Sequence, residues 1–145
     1  RVVDQVVNKA LESNVEYCAN IITEDFPDGQ DVEVFKFSAL QRAWKEATLK
    51  SEREHVTPFI RNNSDLKGGE IFTAYDVKCH SNFNSIRMTV DEEADLIAIR
   101  RLIDELGIDS TWEEYADYIS KHSESIGNTN IIRNEGYQKS LRKDK

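Results

Sequence analysis

Val2, Val6, Val7, Ala10 and Leu11 recur at i, i+4, i+5 and i+8, which predicts an amphipathic helix over Val2–Ser13 with one broad buried stripe. An apolar run of strand length follows at 17–22. Phe26-Pro27-Asp28-Gly29 reads as a turn, because Pro fixes one dihedral and Gly permits a positive one. Asp31-Val32-Glu33-Val34-Phe35 alternates strictly, a strand with Val32 and Val34 on one face and Asp31, Glu33 and Phe35 on the other. Ser38 with Gln41 forms a capping box for a helix whose inward face is Leu40, Ala43, Trp44 and Ala47. A second box, Ser51 with Glu54, opens a short turn that ends near His55, since Pro58 cannot sit inside that helix. The chain restarts with Thr57 as cap and Pro58 at the first helical position.

Beyond Lys67-Gly68-Gly69, a turn, residues 71–77 predict a strand, and 85–90 predict another with Ile86, Met88 and Val90 inward and Arg87 and Thr89 outward. Asp91 is placed to cap a helix that buries Leu96, Ile99, Ile103 and Leu106 and stops at Gly107. Ser110 with Glu113 caps a last helix, whose face is Trp112, Tyr115, Ala116 and Ile119. From His122 onward the pattern is polar and irregular, ending in the basic residues Lys139, Arg142, Lys143 and Lys145. Strands and helices alternate without repeats, so the expected class is α/β, a three-layer sandwich forming a single domain over 1–145.

Composition narrows the function. The 145 residues carry 27 Asp plus Glu against 19 Lys plus Arg, a net charge of -8, which repels phosphate backbones and anionic lipid. Neither nucleic acid nor a membrane is expected as partner, and a cytoplasmic location is. Cys18 and Cys79 lie far apart with no C-x-x-C spacing and read as buried thiols rather than zinc ligands. Arg1 runs directly into an apolar helix face with no initiating Met, so the chain reads as cut into rather than begun.

Several side chains can carry chemistry. Asp91 follows a predicted strand and precedes a helix, the edge of an α/β sheet where ligands and metals bind, although taken alone such an aspartate is first of all a plain helix cap. Asp28, Asp31 and Glu33 gather carboxylates on one turn and strand, suited to sugar hydroxyls or magnesium, or to a solvated face. Arg53-Glu54-His55 sets a permanent cation beside an imidazole, a clamp for carboxylate or phosphate or else a surface ion pair. Arg87 can meet an anion at the Asp91 edge or cover the sheet. His80 and His122 are given no role. Nucleophile-elbow, H-E-x-x-H and G-x-G-x-x-G motifs are all missing from the sequence.

Four strings together resemble a known family: Phe26-Pro27-Asp28-Gly29-Gln30-Asp31-Val32-Glu33-Val34-Phe35, Arg53-Glu54-His55-Val56-Thr57-Pro58, Arg87-Met88-Thr89-Val90-Asp91, and Asn134-Glu135-Gly136-Tyr137-Gln138-Lys139-Ser140-Leu141. They look like the C-terminal half of cytidylyltransferase-like proteins of the spore-coat polysaccharide type, relatives of the enzymes that activate acylneuraminate and 3-deoxy-manno-octulosonate. The resemblance implies a Rossmann-like nucleotidyltransferase fold, transfer of CMP from CTP to an acidic sugar, magnesium, and a homodimer. It implies that the CTP-binding loop and a first metal-binding aspartate precede Arg1. Asp91 then matches the second magnesium-liganding aspartate, while Asp31, Glu33, Arg53 and His55 look like the sugar side of the cleft. Glu93-Ala94 stands where the family has Pro-Glu, and Glu24-Asp25 where a basic residue is common. Two other readings are a non-catalytic dimerisation module and a sugar-nucleotide glycosyltransferase of similar fold.

Overall fold

A computed structural model describes residues 1–126 and 133–144; Lys145 of the basic tail and residues 127–132 of the expected irregular stretch lie outside them. In chain order the elements are α1 (Val2–Ser13), β1 (Tyr17–Ala19), β2 (Glu33–Phe35), α2 (Phe37–Glu46), α3 (Lys50–His55), α4 (Pro58–Asn62), β3 (Ala74–Asp76), α5 (Glu93–Leu106), α6 (Trp112–Lys121), α7 (Ser123–Ile126) and α8 (Glu135–Leu141). The expected α/β class is seen as a mixed α/β fold with a three-stranded sheet in the order β2-β1-β3. β1 pairs antiparallel with β2 and parallel with β3. The described residues divide into two compact units: residues 1–23, 32–78 and 134–144 form the first, and 24–31, 79–126 and 133 the second. None of the helices described is long and apolar enough to cross a membrane.

The first unit packs the sheet against small helical faces. Tyr17, Ala19, Ala39, Ala43, Ala47, Phe59, Ile60 and Phe72 form its buried cluster. Alanines at i, i+4 and i+8 let the backbone of α2 approach its neighbours closely, so the buried stripe runs through Ala39 rather than through Trp44, which is 69% exposed. The α2 N-terminus falls at Lys36, ahead of Ser38, and no side chain caps it. Along α1 only Val2 and Val6 are buried, a narrower stripe than the sequence suggests, and Leu11 is 75% exposed.

α3 starts two residues earlier than the Ser51 box implies: Leu49 N–H donates to the Glu52 carboxylate, and Ser51 is drawn instead to Asp144. The break before Pro58 stands where the sequence puts it. Thr57 N–H closes back on the His55 carbonyl at 2.8 Å, and Val56 between them takes φ 67° and ψ −56°. That is the strained form of a three-residue turn, unusual for a β-branched residue. Cys18 is buried, as expected, but Cys79 is only half-buried.

The second unit has its own core of Ile86, Ala98, Leu102, Ala116, Ile119 and Ile126. Among the described residues, 85–90 form no strand. A single bridge joins Asp28 to Arg87, with Asp28 N–H donating to the Ile86 carbonyl and Met88 N–H to the Asp28 carbonyl. Pairing ends there because the partner segment turns at Gly29, φ 100°, where a Cβ would meet the Met88 carbonyl carbon at 2.8 Å. Val90, expected inward, is 55% exposed.

The buried face of α5 is also rotated from expectation. Asp95, Ala98 and Leu102 are buried while Leu96 is 38% exposed, because an ion-paired aspartate takes the first inward position. Gly107 ends α5, as predicted. The box that opens α6 is Thr111 with Glu114, one residue later than expected, since the Ser110 hydroxyl donates to the Leu106 carbonyl and finishes α5. Beyond His122 the expectation of irregular chain is overturned by α7 and α8.

Candidate functional site

Contacts within each unit join residues of separate strings, and the first string is divided between the units after Asp31. In the second unit, the Asp28 turn and the 87–91 segment meet around one guanidinium. Arg87 donates through Nε and Nη2 to the two carboxylate oxygens of Asp95, at 2.9 and 2.8 Å, and through Nη1 to Asp28 at 2.8 Å. A third carboxylate, Asp91, accepts from Nη2 at 3.1 Å. The side chains of Arg87 and Asp28 are about nine-tenths buried and that of Asp95 wholly so, whereas Asp91 is 69% exposed. The hydrogen bonds that Arg87 donates to Asp95 hold the guanidinium well above its ordinary range, against the pull of burial.

Asp91 therefore does not cap α5 with its carboxylate. Glu92 is the N-cap residue, and Asp95 reaches back to accept from the N–H groups of Asp91 and Glu92, both at 3.1 Å. Asp95 thus holds a cation and a helix terminus at once, and frees the Asp91 side chain for solvent. Arg133 donates to the Phe26 carbonyl at 3.0 Å and to Asp31 at 2.7 Å.

In the first unit, the Arg53 and Asn134 strings meet. Ser140 Oγ lies 2.9 Å from His55 Nε2 and donates to Glu54 Oε2 at 3.0 Å. Tyr137 stands edge-on to the His55 ring at 5.3 Å, and Arg61 lies over the Tyr137 ring. Ser51 donates through both N–H and Oγ to Asp144, and these bonds hold the Asp144 carboxyl below its usual range. Arg53 turns from any clamp with His55: its Nη1 donates to the carbonyls of Trp44 and Ala47, at the C-terminal end of α2. Glu33 accepts from the buried Tyr17 hydroxyl and from Thr57 at 3.1 Å. Burial, then the Glu33 charge, pushes the Tyr17 phenol above its ordinary range.

The acidic cluster read from sequence is thus divided. Asp28 and Asp31 belong to the second unit with Arg87 and Asp91, and Glu33 to the first with Arg53 and His55. Sequence reasoning passed over Asp95, Arg133, Glu54 and Ser140 as partners. Asp95 had a signal, an acid on the inward face of an amphipathic helix; Ser140 had none beyond its place in a quoted string. Among the described residues no three His, Cys, Asp or Glu side chains are arranged to hold a metal ion. Asp28 and Asp95 face a guanidinium and do not fit a divalent cation, while Asp91 has room for one external contact.

No family model matches the chain. It is 28% identical over 139 residues to an uncharacterized protein of Methanocaldococcus jannaschii, across 94% of this chain and 54% of that protein. Its fold is similar to the structure of a cytidylyltransferase from Leptospira borgpetersenii serovar Hardjo-bovis, with a TM-score of 0.77 and 24% identity. That likeness covers 90% of this chain and 54% of the other, so the chain spans about half the length of both proteins.

Proposed function

We propose that the chain is the sugar-side and dimer-forming part of a cytidylyltransferase that joins CMP from CTP to an acidic sugar in surface-polysaccharide or glycan biosynthesis. The observation that supports this most is the extent of the fold likeness, 90% of the chain, to a cytidylyltransferase. In this reading a sugar hydroxyl attacks the α-phosphorus of CTP, a phosphoester bond forms, the α–β anhydride bond breaks and pyrophosphate leaves. Magnesium bound with the triphosphate would neutralise charge there, and Asp91 offers it one exposed carboxylate. Within the first unit His55 is assigned to the sugar, with Glu33 and Arg53 holding the 53–57 segment in place; within the second, Arg87 fixes the backbone that carries Asp91. The CTP-binding loop is assigned to the remaining length of proteins of this kind, so the isolated chain is expected to be inactive.

The test is pyrophosphate release with CTP, magnesium and a panel of acidic sugars, from the chain and from the longest natural protein that contains it. Release by the longer protein only is expected; none from either, with every sugar, overturns the reading, and turnover by the chain alone overturns its division of labour. In the active protein Asp91→Asn should lower turnover by roughly 10²-fold or more, as when one contact to transition-state charge is lost.

A further inference from the structure

We propose that Ser140 is a positioning residue that keeps the His55 proton on Nε2 and so presents Nδ1 as a lone-pair acceptor for a substrate hydroxyl. The substrate clause rests on the function proposed above; the proton placement does not. Ser140 is 3% exposed and touches two groups through one oxygen, Glu54 Oε2 at 3.0 Å and His55 Nε2 at 2.9 Å. A serine hydroxyl has a single proton and a carboxylate only accepts. With that proton committed to Glu54, Ser140 Oγ meets the ring with a lone pair, and Nε2 must carry hydrogen and donate. Tyr137, edge-on at 5.3 Å, holds the plane of the imidazole.

Nδ1 has no hydrogen-bond partner among the described residues, and the ring is half-buried. A neutral imidazole held in this tautomer has a lone pair at Nδ1. It accepts from a hydroxyl and repels a carboxylate. His55 therefore selects a hydroxyl of an acidic sugar and leaves its carboxylate to another group. Arg53 does not alter this, since its guanidinium is bound to the α2 carbonyls.

The experiment is ¹H–¹⁵N correlation on the full chain labelled at its 3 histidines, with His55 assigned by its loss in His55→Gln. Spectra are taken at about pH 8.5, well above the ordinary imidazole range near 6.5. The expected result is a slowly exchanging proton on Nε2 and a bare Nδ1. Ser140→Ala should make that proton exchange about tenfold faster, the loss of one hydrogen bond, with the fold intact by near-ultraviolet dichroism. Ser140→Thr, which keeps the hydroxyl, should restore protection. A proton on Nδ1 in the unaltered chain, a readout that needs no variant and no turnover, overturns the proposal. Unchanged protection in folded Ser140→Ala does the same. N-acetylneuraminate and its methyl ester then serve as probes: equal shifts of Nδ1 support a hydroxyl contact, and a shift that needs the free carboxylate overturns it.

Discussion

The cluster around Arg87 and the cluster around Ser140 do the same architectural task by different physics. Both tie together segments far apart in sequence, Asp28 to Arg87 in one unit and Glu54 to Ser140 in the other. The first is ionic and buried, with a guanidinium facing two carboxylates that have almost no access to water. Such a group is costly to assemble and costlier to break, because removing one partner strands a charge of the other sign. The second is built from hydroxyl, imidazole and a carboxylate near the surface, where each bond is worth about 1 kcal/mol net. Each cluster has one polar member turned outward: Asp91, 69% exposed while bound to Arg87, in the first, and the half-buried His55 ring, whose Nδ1 has no partner among the described residues, in the second.

Arg87→Met strands Asp95 and Asp28 in the core of the second unit. A loss of about 3–5 kcal/mol is expected, read as a lower midpoint in urea unfolding. A loss under about 1 kcal/mol would make the two clusters equivalent.

Alkali separates the units by the range in which each loses stability. The folded state holds the Tyr17 phenol above its ordinary range, so that contribution is complete below about pH 10 and is lost as pH rises beyond it. The first unit should lose about 1.4 kcal/mol per pH unit above that point, and Tyr17→Phe should remove this part of the slope. Arg87 is shifted upward too, beyond any pH used, so the second unit should show no matching loss. Parallel alkaline melts of the native chain and Tyr17→Phe test the claim.

A smaller effect is expected at Val56, whose φ of 67° suits glycine better than a β-branched residue. Val56→Gly removes strain of about 1–3 kcal/mol and adds about 0.5–1 kcal/mol of unfolded-chain entropy. A net gain in melting temperature is expected, since Val56 is 50% exposed and has little contact to lose. A clear fall would mean that the side chain, not the turn, fixes this segment.

The smallest stability change belongs to Asp91→Asn, under about 0.5 kcal/mol, because an exposed member of an ion cluster contributes little. Its neighbour Asp95 is the contrast. A large loss of stability at Asp91 would show that its charge is needed by Arg87, and the division between buried and exposed acids would fail.

Legible in the amino-acid pattern were the α/β class, the extent of α1, the turns at Gly29 and Gly68, the break before Pro58 and the stop at Gly107. Those features rest on local physics: apolar periodicity, a locked proline dihedral and glycine's access to positive φ. The resemblance carried by four short strings agrees with the fold, since a cytidylyltransferase structure shares it. Which acids share a unit was decided only by tertiary structure, because Asp31 and Glu33 are two positions apart and yet belong to different units. The same holds for Asp95, whose inward position depends on a cation eight residues earlier, and for Ser140, whose partners Glu54 and His55 lie more than eighty residues away. Periodicity reports which face of an element is apolar. It carries no information on which distant charge or hydroxyl will satisfy a polar group once that face is buried.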